Sequence, residues 1–185
     1  MQPAGDSGSV HPMASQGQMT GTAGVPPSKA AGILYGLGLG GFVDGIVLHQ
    51  ILQWHHMVSN THDHPVDTVP GLEVNTLVDG FFHLLMWLLV LAASVVTIRA
   101  WRQGRLAPNW SFHFGLVLAG WGIFNVVEGL VDHQVLQIHH VRDDLGGPLV
   151  WDLGFLALSL LLVAAGWLLH RRGVAALQGQ VGAGR

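Results

Sequence analysis

Residues 44–56 read DGIVLHQILQWHH, and residues 128–140 read EGLVDHQVLQIHH. Laid over one another, eight of the thirteen positions are identical, and Asp44/Glu128, Ile46/Leu130 and Ile51/Val135 exchange like for like. Upstream, Gly36 and Gly38 match Gly120 and Gly122 in the same register. Two apolar helices resemble each other by chance in their Leu and Val. Sharing Gly, His, Gln, Gln, His and His in register points instead to a duplicated unit.

Each motif closes an apolar stretch, about Ala30 to Trp54 in the first case and about Ser111 to Leu136 in the second. Each is followed by another apolar stretch, about Leu77 to Ile98 and about Leu149 to Leu169. All four approach or exceed the roughly 20 residues that cross a bilayer core. Backbone exposed to lipid must satisfy its own hydrogen bonds, so these stretches are helices. The expected fold is all-α, a four-transmembrane-helix bundle made from a duplicated two-helix hairpin. It occupies residues 29–172, with repeat one at 30–100 and repeat two at 110–172. Two crossings per repeat give both copies the same orientation, related by an axis along the membrane normal. Residues 1–28 are rich in Gly, Ser, Pro, Ala and Gln and are expected to form a flexible tail. They lack the basic start and short apolar stretch of a secretory signal. Residues 173–185 are expected to be a flexible C-terminal tail.

Composition agrees. Half of the 185 residues are hydrophobic and only 10% are charged, against about a quarter charged in soluble domains. The formal net charge of −3 leaves no basic footprint for nucleic acid. With no cysteine, disulfides, thiolate metal sites and thiol nucleophiles are excluded. Twelve histidines stand against eight Lys and Arg together, an excess a hydrophobic chain does not otherwise need. Lys29, then Arg99, Arg102 and Arg105, then Arg171 and Arg172, flank one end of the stretches, whereas the opposite loops hold only Arg142. Both termini are therefore expected in the cytoplasm, with the His-rich loops outside.

Measured from those basic anchors at 1.5 Å per residue, Asp44 lies about 22 Å deep, His83 about 24 Å, and His49 and Asp79 about 30 Å. The polar groups thus converge on one layer near the outer surface of the membrane. On an ideal helix His49, Gln53 and His56 share a face, as do His133, Gln137 and His140. Asp44 with His55, and Glu128 with Asp132 and His139, share a second face. The two faces lie roughly 120° apart, and Gly45 and Gly129 permit local adjustment. Asp79 and His83 share a face of the second helix.

Imidazoles and carboxylates together suit a transition metal such as iron, copper or zinc, and helical bundles commonly hold metals this way. The candidate ligands are His49, His56, His133, His140, Asp44, Glu128, His55, His139, Asp79 and His83. A metal-dependent oxidoreductase or hydrolase, a metal carrier and an assembly factor for a respiratory complex are all compatible with such a set. Haem held between His49 and His133 is a variant. A purely structural reading needs only hydrogen bonds between helices. A complete proton path is not expected, because no ionisable group appears through the inner half of the membrane. The tail residues His11, Met13 and Met19, and His62, Asp63, His64 and Asp67 in the first outer loop, read as ordinary solvated chain. His113 and His170 read as interfacial.

The segments GGFVDGIVLHQILQWHHM and FNVVEGLVDHQVLQIHH resemble a family of predicted bacterial membrane proteins of unknown function, over about residues 30–172. The resemblance implies a four-helix protein of the bacterial cytoplasmic membrane and brings no activity with it. The motif is also loosely similar to the His boxes of membrane di-iron oxidases and desaturases. Here, however, a His is followed by five residues and then His-His, and the typical short boxes are missing.

Overall fold

The computed structural model describes residues 26–183. Four helices run in order: α1 (Ala30–Val43), α2 (Val69–Arg102), α3 (Trp110–Leu130) and α4 (Leu149–Ala183), with no strand among the described residues. All four are long and apolar enough to span a membrane, α1 and α3 when counted with the turns that carry them to Ile51 and Val135. The fold is the expected all-helical one.

α1 and α3 form the inner pair, with α2 packed on α1 and α4 packed on α3. Small residues let the inner pair meet closely. A Cβ on Gly36 would stand 2.7 Å from Gly120 Cα, and one on Gly120 would stand 3.0 Å from Gly36 Cα. In lipid, where hydrophobic burial does not drive helices together, such backbone approach is a main source of packing energy. The outer helices turn large apolar side chains outward, among them Leu77, Phe81 and Leu85 on α2 and Leu153, Leu160 and Leu161 on α4. A continuous apolar surface of this kind belongs against lipid tails.

Three boundaries or placements differ from the sequence expectation. α2 starts at Val69, well before Leu77, because Thr68 Oγ1 accepts the Gly71 N–H at 3.2 Å and Pro70 lies in the first turn. A cap and an N-terminal proline begin a helix outside the apolar stretch. α4 runs on to Ala183, so residues 173–183, expected as a flexible tail, continue the helix. Ala175, Ala176, Leu177, Gln178 and Gln180 add good helix formers to a helix already nucleated. His170, expected at the interface, is instead buried: its ring packs on Phe112, and its Nδ1 donates to the Phe112 carbonyl at 3.2 Å. Residues 1–25 of the expected N-terminal tail lie outside the described residues.

The fourth difference positions the site. Past Val43 the helix widens into π-helical turns over Asp44–Ile51, and past Leu130 it does the same over Val131–Val135. Leu52 N–H bonds the Val47 carbonyl and Leu136 N–H bonds the Val131 carbonyl, both at 2.8 Å. Both segments then stop at a left-handed glutamine, Gln53 with φ 51° and Gln137 with φ 53°. A non-glycine residue there carries strain of order 1–3 kcal/mol. The face assignment made on an ideal helix therefore fails. An i→i+5 ladder stacks residues five apart, which brings Asp44 over His49 and Glu128 over His133. His55, His56, His139 and His140 lie beyond the helix ends altogether.

Candidate metal centre

The two loops that leave the π-helical turns cross. Asn60 N–H bonds the Ile138 carbonyl at 2.9 Å, and Asp144 N–H bonds the Trp54 carbonyl at 3.1 Å. His55 Nδ1 donates to the Val141 carbonyl and His139 Nδ1 donates to the Met57 carbonyl, both at 3.1 Å. Each loop thus orients an imidazole by means of the other loop's backbone. The two rings stack face to face, 4.7 Å apart and 3° from parallel. With each Nδ1–H committed to a carbonyl, Nε2 is the nitrogen left for a ligand. Burial, with His139 and His49 nearby, holds the His55 imidazole well below its usual pKa, so it is neutral and its Nε2 lone pair is free. Burial opposes charging of His139, but its bond to the Glu128 carboxylate outweighs this and raises its pKa.

Around that stack stand Asp44, His49, Glu128 and His133, all nearly excluded from solvent. His49 Nε2 lies 3.0 Å from Asp44 Oδ2. Glu128 Oε1 lies 3.0 Å from His133 Nε2 and 3.1 Å from His139 Nε2. Two groups result whose ligand atoms all lie within 4.8 Å of one another: His55, Glu128, His133 and His139, and Asp44, His49 and His55. Ligand atoms on a tetrahedral ion with bonds of about 2.0–2.1 Å stand roughly 3.3 Å apart. The observed 3.0–3.1 Å contacts are close to that spacing.

Hydrogen bonding leaves this centre incomplete. Both oxygens of Asp44, His49 Nε2, His55 Nε2, Glu128 Oε2 and His133 Nδ1 are buried with no hydrogen-bond partner. The His49–Asp44 contact is short but is not aligned as a hydrogen bond. Buried polar atoms are rarely left this way, and an unpaired buried carboxylate is costly. A bound cation is the kind of partner that the oxygens of Asp44, with His49 Nε2 and His55 Nε2, lack.

Two further carboxylates hold the histidines from outside. Asp79 on α2 bonds His49 Nδ1 at 3.0 Å, His56 Nδ1 at 2.7 Å, Gln50 Nε2 at 3.0 Å and the Met57 N–H at 3.0 Å. Asp152 on α4 does the same for His140 Nδ1 at 2.7 Å, Gln134 Nε2 at 3.2 Å and the Val141 N–H at 3.0 Å, with His133 Nδ1 at 3.6 Å. Carboxylate–histidine pairs of this form orient metal-binding imidazoles and raise their basicity.

Of the ten candidate residues, six converge on the centre: Asp44, His49, His55, Glu128, His133 and His139. Asp79 stands behind His49 as its anchor. His56 and His140 share the Asp79 and Asp152 carboxylates and lie outside both ligand groups. His83 lies behind Gly45, near Phe42 and Phe82, and also outside both groups. Asp152 belongs with Asp79: each lies within the first residues of the second apolar stretch of its half, and these stretches begin at about Leu77 and about Leu149. The closing layer had no such signal. Ser59 Oγ donates to Asp143, and each caps the loop that carries a histidine pair: Ser59 Oγ accepts the His56 N–H and Asp143 accepts the His140 N–H, both at 3.0 Å. Burial raises the Asp143 pKa against the pull of these bonds. Above them the Arg142 guanidinium lies 4.5 Å from the Trp54 ring and 5.1 Å from the Trp151 ring, and it forks onto Asp144 at 2.7 Å. In the loop between Gln53 and Val69, His62, Asp63 and Asp67 are exposed.

The chain belongs to the family described as "Predicted membrane protein (DUF2243)", whose model matches residues 31–173. No curated protein and no solved structure matches the chain.

Proposed function

We propose that this membrane protein holds a resident transition-metal centre between α1 and α3 and works as a metal-dependent redox or hydrolytic protein at the outer face of a bacterial cytoplasmic membrane. The carrying observation is the set of buried, unpaired nitrogen and oxygen atoms on Asp44, His49, His55 and Glu128. Nitrogen and carboxylate donors without sulfur suit iron, zinc or copper. Such an ion supplies Lewis acidity or redox chemistry when bound. The chain's own part is to present Nε2 atoms, to hold the His49 ring through Asp79 and the His55 and His139 rings through two backbone carbonyls, and to keep bulk water out. Locked and buried ligands favour a resident ion over a metal cargo handed to a partner, which needs an exposed, exchangeable site. Haem is less suited, because the His55 and His139 rings pack directly on each other where a macrocycle would need a slot.

The test is elemental analysis of the detergent-purified protein, prepared without chelators. The expected result is stoichiometric first-row metal, lost in the double variant His49→Ala with His133→Ala. A cooperatively folded protein that carries no metal and gains no thermal stability from added iron, zinc or copper would falsify the reading.

Charge distribution supports the orientation. Lys29, Arg99, Arg102, Arg105, Arg171 and Arg172 gather at the end opposite the centre, which favours both termini in the cytoplasm under the positive-inside rule. The chain has no cysteine, so His62→Cys and Gln103→Cys can be labelled one at a time in intact cells with a membrane-impermeant maleimide. Labelling of Gln103→Cys but not of His62→Cys would reverse the orientation.

A further inference from the structure

The metal reading leaves open how many ions the centre holds. Resting on that reading, we infer that the centre is dinuclear: Asp44, His49 and His55 hold one divalent first-row cation, and Glu128, His133 and His139 hold a second beside it.

Four observations converge on this arrangement. The ligand atoms fall into two groups that share His55. His55 Nδ1 is committed to the Val141 carbonyl, so His55 has one nitrogen to give and cannot complete both groups. Assigning it to Asp44 and His49 leaves each group with two imidazoles and one carboxylate, drawn from matching positions of the two motifs. Three protein ligands leave positions open on each ion, as reactive sites require.

The unpaired atoms make the same division. With Glu128, His133 and His139 given to one ion, both oxygens of Asp44 with His49 Nε2 and His55 Nε2 remain buried and unpaired. They are themselves a complete second ligand set, which a mononuclear centre would leave unsatisfied.

Charge supplies the third argument. Asp44, Asp79, Glu128 and Asp152 are all buried, and no Lys or Arg among the described residues pairs with any of them. Four carboxylates balance two divalent cations.

The fourth is spacing. The ligand imidazoles His55 and His139 stack at 4.7 Å and serve separate ions, which sets those ions side by side. Ions in two-metal sites stand about 3.5–4 Å apart, close enough to clamp one small oxygen-donor ligand between them.

The test strips the full-length, detergent-solubilised protein with chelator and reloads it with Mn(II). The metal-to-protein ratio and the electron paramagnetic resonance spectrum are then read. The inference expects about two ions per chain with an exchange-coupled spectrum, as in other two-metal sites. It also expects His49→Ala and His133→Ala each to lose half the metal and to show an uncoupled spectrum. If either variant does not fold, the spectrum of the native chain still decides. One ion per chain with an uncoupled six-line spectrum overturns the dinuclear assignment and leaves the metal reading standing. No bound metal overturns both.

Discussion

In the half of the centre built on α3, Glu128 Oε1 reaches both His133 and His139; in the half built on α1, Asp44 reaches His49 alone and makes no aligned hydrogen bond. The aromatic surroundings are matched. Phe82 stacks on His49 at 5.6 Å and Phe155 lies against His133 at 5.5 Å. Gly45 backs onto Phe82 and His83, and Gly129 backs onto Phe155 and Leu156. At the acid itself the difference is one methylene. The longer Glu128 satisfies part of its half with protein hydrogen bonds. The shorter Asp44 leaves both of its oxygens without a hydrogen bond. Two nearly equivalent sets of candidate ligands are therefore satisfied to different degrees, and substitutions that exchange or remove their differences test the comparison.

The largest effect is expected at the anchors. Asp79 accepts four hydrogen bonds, including those from His49 and His56. Asp79→Ala strips these donors at once, and loss of one partner from a buried charged set costs roughly 3–5 kcal/mol. Asp152→Ala should cost somewhat less, because Asp152 stands 3.6 Å from His133 whereas Asp79 bonds His49 at 3.0 Å. Thermal unfolding in detergent, with metal chelated, measures both. Negligible losses would show that these carboxylates do not hold the histidines, and equal losses would show that the two anchors do not differ.

Next comes exchange of the acids. Glu128→Asp shortens the side chain that serves two histidines. It should weaken metal binding by at least about tenfold, the lower end of what removing a support around a metal costs. The reciprocal Asp44→Glu lengthens the weaker half and should tighten binding by a smaller factor. Titration against a chromophoric chelator reads both, and a tighter Glu128→Asp would invert the comparison.

Much of this was legible in the amino-acid order, and the reasons are local. The four long apolar helices come from runs that a bilayer core demands, and the motif alignment set Asp44 against Glu128 and His49 against His133, the same pairs that occupy matching places in the two halves. The convergence of Asp44, His49 and His55 was not legible. An ideal helix separates His49 from Asp44 and His55, and no residue in DGIVLHQI announces a π-helical ladder. The exchange of His55 and His139 between loops depends on carbonyls of Val141 and Met57, which any residue could supply. Likewise His56 and His140 have the same chemistry as His55 and His139, and only the course of the chain past Gln53 and Gln137 gives them a different place. The extension of α4 was missed because lipid-crossing length, and not helix propensity, set the expected end.

The smallest effect is expected where one half carries a group the other lacks. His83 occupies the place that Leu156 fills behind Gly129, and its Nε2 is buried without a partner. An unsatisfied buried nitrogen costs about 1–3 kcal/mol, and an apolar replacement of similar shape removes that penalty. His83→Leu makes the two halves alike at this position. It should raise stability by ~1 kcal/mol and leave the metal content unchanged, because His83 lies outside both ligand groups. Thermal unfolding and elemental analysis of the same preparation read the two effects separately. A loss of metal in His83→Leu would mean that His83 serves the α1 half as the partner Asp44 lacks, and that the two halves differ in their ligands and not only in the length of one acid.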